Sequence, residues 1–120
     1  MVNFEGEYLD DERNGKGKEY HFYYDGIIQF EGEYLNGKRI GKGKEFSKNG
    51  TIIFEGEYLN DKRNGYGREY DYKGNIIFEG EYLNDKRYNG KYREYYHNGK
   101  IIYKEVYENG KEIWIKRFIW

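Results

Sequence analysis

Phe54-Glu55-Gly56-Glu57-Tyr58-Leu59 and the stretch after it, Asn60-Asp61-Lys62-Arg63-Asn64-Gly65-Tyr66-Gly67-Arg68-Glu69, decide the fold. The same six opening residues stand unchanged at Phe4, Phe30 and Phe78, so the copies are 26, 24 and 24 residues apart. Each copy is followed by a turn and then by a basic, glycine-bearing stretch. Two of these, Arg13-Asn14-Gly15-Lys16-Gly17-Lys18-Glu19 and Arg39-Ile40-Gly41-Lys42-Gly43-Lys44-Glu45, match the one above. The fourth, Arg87-Tyr88-Asn89-Gly90-Lys91-Tyr92-Arg93-Glu94, has an altered spacing and a Tyr in place of the second glycine. Self-similarity at this period marks a repeat architecture.

Within a unit the period is two. Ile76, Phe78, Gly80 and Tyr82 share one face of a strand, and Ile77, Glu79, Glu81 and Leu83 share the other. Turn residues bound the strands, Asn60-Asp61 on one side and Tyr72-Lys73-Gly74-Asn75 on the other. Each unit therefore reads as a β-hairpin, and the whole as an antiparallel meander of about nine or ten strands, at two per unit. The chain contains no alanine, the best helix former, which argues further against helices. One domain over residues 1–120 is expected, with units near 4–29, 30–53, 54–77 and 78–102. A degenerate unit at 103–120 keeps Tyr103 and Tyr107 but loses the glycine between them. An end unit has a neighbour on one side only, so it reads as a cap.

The pattern Phe54-x-Gly56-Glu57-Tyr58-x-Asn60-x-Lys62-Arg63-Asn64-Gly65-x-Gly67 resembles the MORN repeat (membrane occupation and recognition nexus). Four copies in register carry the resemblance over nearly the whole chain. It departs from the family in having Tyr8, Tyr34, Tyr58 and Tyr82 where Trp is usual. The turn glycine survives only as Gly37, with Asp11, Asp61 and Asp85 in the other copies. The resemblance implies an all-β fold: an elongated, twisted, single-layer sheet of stacked hairpins with an atypical C-terminal cap. It implies no single function. The family's name suggests membrane attachment, and an antitoxin-like role is attributed to some bacterial proteins with similar arrays.

Composition narrows the classes. Lys and Arg total 21 against 22 Asp and Glu, so the basic surplus that displaces counterions from nucleic acid is missing. The 16 tyrosines set the chain apart from disordered sequences. Without cysteine there is no disulfide or thiolate metal site. No stretch reaches the roughly 18 apolar residues of a membrane span. Met1 to Leu9 lacks the apolar core of a signal peptide, so a cytoplasmic location is expected, at most peripheral to a membrane.

Aromatic residues lying over glycines would let a one-layer sheet bury part of one face. If Glu7 pairs with Lys16, Tyr8 falls opposite Gly15 and Gly6 opposite Gly17; a slip of two residues would preserve the faces. The same register sets the carboxylate pairs Glu5/Glu7, Glu31/Glu33, Glu55/Glu57 and Glu79/Glu81 against Lys16/Lys18, Lys42/Lys44, Arg68 and Lys91/Arg93. Two carboxylates can hydrolyse glycosides, but a site is normally unique, and a solvated pair repeated four times reads as cross-strand charge pairing. His21 and His97 lie near turns and are far apart, with no metal spacing. Ser47 and Thr51 flank the Asn49-Gly50 turn without a nucleophile's context. No catalytic residue, cofactor or metal ligand is therefore expected, and the chain reads as a non-enzyme.

Ile113-Trp114-Ile115-Lys116-Arg117-Phe118-Ile119-Trp120 breaks the pattern and holds both tryptophans. It reads either as a cap folding over the last hairpin or as a contact with a partner, because Trp, Tyr and Arg concentrate in binding hot spots. The expected interaction residues are Trp114, Lys116, Arg117, Phe118 and Trp120, with Tyr88 and Tyr92 at the altered fourth unit. Charge is also uneven: residues 1–85 carry 12 basic and 18 acidic groups, and residues 86–120 carry 9 and 4. The leading expectation is a protein–protein interaction or scaffolding module with an open edge strand at each end, its partner another protein or a second copy in a homodimer. The alternatives are peripheral attachment to anionic lipid, through Lys116 and Arg117 among apolar residues, and an inhibitor or antitoxin-like binder.

Overall fold

The computed structural model describes residues 3–22 and 26–117, with the side chains of all of these except 102–104 and 114–117. Ten strands follow in chain order: β1 (Phe4–Leu9), β2 (Glu12–Tyr20), β3 (Ile28–Leu35), β4 (Lys38–Phe46), β5 (Ile52–Leu59), β6 (Lys62–Tyr70), β7 (Ile76–Leu83), β8 (Lys86–Tyr95), β9 (Ile101–Glu108) and β10 (Lys111–Arg117). Each pairs antiparallel with the next, giving one open ten-stranded sheet in sequence order. Its principal extents are 56, 31 and 17 Å. The radius of gyration is 16.4 Å, against about 13.6 Å for a compact chain of this length. The elongated single-layer meander read from the repeat is the observed fold.

Turn chemistry sets the hairpins. In all five hairpin turns both central residues have positive φ: Asp10-Asp11, Asn36-Gly37, Asn60-Asp61, Asn84-Asp85 and Asn109-Gly110. This is the type I′ geometry whose twist matches the flanking strands. Asp and Asn tolerate it where most side chains would not. The turns linking units 2–3, 3–4 and 4–5 use another solution. Gly50 N–H donates to Ser47 O, Gly74 to Asp71 O and Gly99 to Tyr96 O, each glycine at φ near +85°. That is a type I turn closed by a left-handed glycine. The first linking loop is longer, with His21 N–H bonded to Ile27 O, and this accounts for the spacing of 26 rather than 24.

The hairpin register differs from the expected one. Gly6 does oppose Gly17, but Tyr8 opposes Arg13, and the strand register shifts between Gly6 and Tyr8. The shift recurs between Gly56 and Tyr58 and between Gly32 and Glu33. Gly15, Gly41 and Gly65, all at positive φ, sit on the strand that takes up the surplus residues. Tyrosine does meet glycine, but across the unit boundary: Tyr34 opposes Gly15, Tyr58 opposes Gly41 and Tyr82 opposes Gly65. Sequence spacing alone does not reveal a bulge, so the expected register placed these contacts inside one hairpin.

One face carries the core. Phe30, Phe54 and Phe78 are fully buried, and Tyr34, Tyr58 and Tyr82 are 3% exposed. A single sheet achieves this by laying each Phe ring on glycine backbone: a Cβ added at Gly43 would come within 2.5 Å of Phe30 Cζ. Tyrosines from the same and the next unit then meet the ring edge-on. Phe30 lies 5.8 Å from Tyr34 and 5.0 Å from Tyr58, centroid to centroid, and both pairs are T-shaped. Such pairs each contribute about 0.5–1.5 kcal/mol beyond area burial. Arg39 closes the stack from above, its guanidinium carbon 4.1 Å from the Phe30 ring centroid.

The described part of the C-terminal stretch, up to Arg117, does not fold over the last hairpin. Residues 111–117 continue the sheet as β10, paired with β9. A strand can add its backbone hydrogen bonds at a sheet edge, which a cap lying across the face would forgo.

Candidate functional site

The two faces of the sheet are built differently. On the aromatic face a three-residue cluster ties each unit to the next. Glu19 on β2 accepts from Tyr34 Oη at 2.5 Å and from Arg39 Nε at 2.8 Å. Glu45 on β4 accepts from Tyr58 Oη and from Arg63 Nε, the latter at 2.9 Å. Glu69 on β6 accepts from Tyr82 Oη at 2.5 Å and from Arg87 Nε at 2.9 Å. The Arg–Glu contacts are double, with Nη2 of each arginine on the second carboxylate oxygen. Charge-assisted forks of this kind are the stronger hydrogen bonds.

Burial by itself would raise the carboxyl pKa of Glu19, Glu45 and Glu69. The hydrogen bonds from arginine and tyrosine outweigh it and hold all three below the ordinary carboxylate range. Burial and the carboxylate neighbour push the phenols of Tyr34, Tyr58 and Tyr82 well above theirs. The clusters are fixed in charge near neutrality and serve as locks between units. Their signal in the sequence was the recurrence of Arg and Glu six residues apart, at Arg13/Glu19, Arg39/Glu45 and Arg63/Glu69. The sequence reading did not assign them this role.

The opposite face is open. Glycines oppose one another across eight strands, from Gly6↔Gly17 and Gly17↔Gly32 to Gly80↔Gly90. Over the first six strands their backbone forms the floor of a groove of about 1240 Å³. Glu5, Glu7, Glu31, Glu33, Glu55 and Glu57 wall it on the odd strands, and Lys16, Lys18, Lys42, Lys44, Tyr66 and Arg68 on the even ones. The signs therefore alternate strand by strand. Within hairpins Glu5 opposes Lys18, Glu31 opposes Lys44 and Glu55 opposes Arg68. The inner carboxylates stand opposite lysines across unit boundaries instead, Glu33 opposite Lys16 and Glu57 opposite Lys42, while Glu7 loses its expected hairpin partner to the bulge. The Glu57 carboxylate also accepts from Tyr66 N–H of its own hairpin. The charge pairs are loose: Lys18 Nζ is 3.9 Å from Glu31, and both side chains are 43% exposed. Exposed pairs like this contribute little to stability.

The expected interaction residues are dispersed. Trp114, Lys116 and Arg117 lie on β10, their backbones opposite Val106, Lys104 and Tyr103. Phe118 and Trp120 lie outside the described residues. Tyr88 is half-buried on β8, and its carbonyl accepts from Gly110 N–H at 2.7 Å. Tyr92 packs against the aromatic core, its ring 4.8 Å from the Arg87 guanidinium carbon. Burial pushes its phenol up to about 12. Tyr92 opposes Phe78, the place that Glu69 takes opposite Phe54, so the lock changes character at the fourth unit.

Among the described residues no group of three His, Cys, Asp or Glu could hold a metal ion, and no helix is long and apolar enough to cross a membrane. No curated protein matches the chain. The MORN repeat matches residues 4–21, 30–52 and 54–76, and a MORN repeat variant matches residues 88–111. MORN repeats are commonly associated with protein- and membrane-interaction modules and are not an enzyme family. With its repeats matched over more than half its length, the chain belongs to the MORN repeat family.

Proposed function

We propose that this protein is a non-enzymatic scaffold that recognises a protein partner along the charged groove. One observation carries the reading: the groove spans six strands, and its walls are side chains that the aromatic core does not use. A surface that contributes little to folding can be matched to a partner at small cost in stability. Glutamate and lysine alternate across the strands, which suits a polar segment bearing both signs and fixes its register. The same alternation favours a protein over an anionic membrane, which attracts uninterrupted basic clusters. An inhibitor or antitoxin-like role would be a special case of this binding, and a homodimer would be the case in which the partner is a second copy.

The test is capture by the full chain from its native extract, with cross-links mapped by mass spectrometry. The native protein is compared with a Lys42→Glu/Lys44→Glu variant, which reverses two exposed groove charges and leaves the aromatic face alone. The expected result is a partner cross-linked to groove residues and lost with the variant. Retention of the partner by the variant, or sedimentation of the chain with phosphatidylserine vesicles in place of a protein partner, would count against the reading.

A further inference from the structure

The edge strand β1 is an unfinished copy of an interface that the sheet completes three times. Tyr34, Tyr58 and Tyr82 are 3% exposed, whereas Tyr8, at the same place in the first unit, is 59% exposed. Arg39, Arg63 and Arg87 each grip a glutamate of the preceding unit. Arg13 lies over the Phe4 ring at 4.1 Å and has no carboxylate partner of this kind among the described residues. The turn repeats the comparison. Asp61 Oδ1 accepts from Arg39 N–H and Asp85 Oδ1 from Arg63 N–H, at 2.9 and 2.8 Å. The backbone N–H groups of Asp61 and Asp85 donate in turn to the carbonyls of the same two arginines. Asp11 holds the corresponding place with no described strand beside it.

The missing strand can be specified from the completed interfaces. Where β4 meets β5, Gly41 opposes Tyr58, Lys42 opposes Glu57, Gly43 opposes Gly56, Lys44 opposes Glu55 and Glu45 opposes Phe54. A strand set against β1 in this register would place glycine opposite Tyr8 and Gly6, a lysine or tyrosine opposite Glu7, a basic residue opposite Glu5, and glutamate opposite Phe4. Two residues before the first glycine, an arginine backbone would meet Asp11. Glycine is favoured opposite Gly6 because the tyrosine ring reaches across to it: a Cβ at Gly43 would come within 3.1 Å of Tyr58 Cε1, the ring that corresponds to Tyr8. Glutamate is needed to complete the set formed by the Tyr8 hydroxyl and the Arg13 guanidinium.

We infer that the outer edge of β1 is an acceptor for an antiparallel strand of a partner chain with the pattern Arg-x-Gly-x-Gly-basic-Glu. The occupant is thus another repeat of the same chemistry. The interaction is strand addition, with backbone hydrogen bonds supplying affinity and the Glu–Tyr–Arg set supplying selectivity. A second copy does not fit through its own free edge. On β10, Glu112 opposes Tyr107 as Arg63 opposes Tyr58, and Arg117 opposes Tyr103 as Glu69 opposes Phe54. The two charges that define the pattern are reversed there, and Ile115, opposite Glu105, stands where Gly67 opposes Gly56. The edge meets the groove only at its outermost strand, through Glu5 and Glu7, whereas the function proposed above is tested at Lys42 and Lys44 on β4, so failure of one reading is distinguishable from failure of the other.

The experiment titrates the full chain into a fluorescent peptide with the sequence of residues 62–70, Lys-Arg-Asn-Gly-Tyr-Gly-Arg-Glu-Tyr, and reads anisotropy. Amide NMR shifts of the full chain locate the contact. Saturable binding is expected, with shifts at residues 4–9 and at Asp11. A peptide whose glutamate is replaced by glutamine should bind about tenfold more weakly, the scale of one lost charge-assisted hydrogen bond. The Tyr8→Phe variant should weaken native-peptide binding severalfold, and Lys42→Glu/Lys44→Glu should leave it unchanged. Absence of saturable binding, equal affinity for both peptides, or shifts confined to β3–β6 or to β10 would overturn the inference. Concentration-dependent shifts of residues 4–9 in the chain alone would make a second copy the occupant and overturn it as well.

Discussion

Replacing Gly43 with alanine reverses the usual sign of such a change. Gly43 is in a strand and at an ordinary φ, where alanine normally stabilises by roughly 0.5–1 kcal/mol through the entropy of the unfolded chain. Here the new Cβ would lie 2.5 Å from Phe30 Cζ and 2.6 Å from Phe30 Cε1. Carbon atoms in contact prefer about 3.5–4.0 Å, so the ring must retreat by about 1 Å. It has nowhere to go, because Phe30 is fully buried between the glycine backbone, the edge of Tyr58 and the guanidinium of Arg39. Overpacking of this kind costs about 1–3 kcal/mol. Unfolding a chain of this length carries an entropy near 250 cal/mol/K, so a net loss of 2 kcal/mol lowers Tm by about 8 °C.

The assay is a double-mutant cycle by calorimetry with Gly43→Ala, Phe30→Leu and the double variant. Leucine vacates the space that the methyl group needs, so the double variant should be more stable than the two single losses predict, by about 1 kcal/mol. Strict additivity, or a stabilising Gly43→Ala, would refute the claim that the ring rests on this glycine.

Stability should also fall at both ends of the pH scale. The carboxyls of Glu19, Glu45 and Glu69 have folded pKa values below their unfolded ones, so their contribution is complete above the unfolded value near 4.5 and is lost as pH drops through the folded values. The phenols of Tyr34, Tyr58 and Tyr82 are raised in the fold, so their contribution is complete below about pH 10 and is lost above it. Urea midpoints across pH check both limbs, and Glu45→Gln should flatten the acid one. In the turns, Asp11→Gly should stabilise by about 0.5–1 kcal/mol by removing a left-handed aspartate. Asp61→Gly relieves the same strain but loses the bond to Arg39 N–H and should gain nothing, which thermal melts of the two variants would compare.

Much of the architecture was legible because it rests on local chemistry. Period-two strands, Asn-Asp and Asn-Gly turns and four copies of Phe-Glu-Gly-Glu-Tyr-Leu lead directly to stacked hairpins. The pairing of individual residues was less legible. Gly15, Gly41 and Gly65 absorb surplus residues at positive φ, and a bulge of this sort moves Tyr8 from Gly15 to Arg13 without altering the composition. The Glu19–Tyr34–Arg39 lock was hidden for a related reason, since its members come from three strands of two units. Only the register brings them together. The charged groove was half visible: the paired carboxylates and lysines stood out, but their reading as simple cross-strand pairs overlooked the surface they enclose.

In the proposed function one face of the sheet maintains the fold and the other is free for recognition. Urea unfolding of Glu45→Ala beside Glu31→Ala tests this most directly, because it removes one carboxylate from each face. Glu45→Ala leaves Arg63 and the Tyr58 hydroxyl without their acceptor and should cost about 2–4 kcal/mol. Glu31→Ala gives up an exposed contact of 3.9 Å with Lys18 and should cost less than about 0.5 kcal/mol. Equal losses, or a larger loss at Glu31, would contradict the division of labour between the two faces.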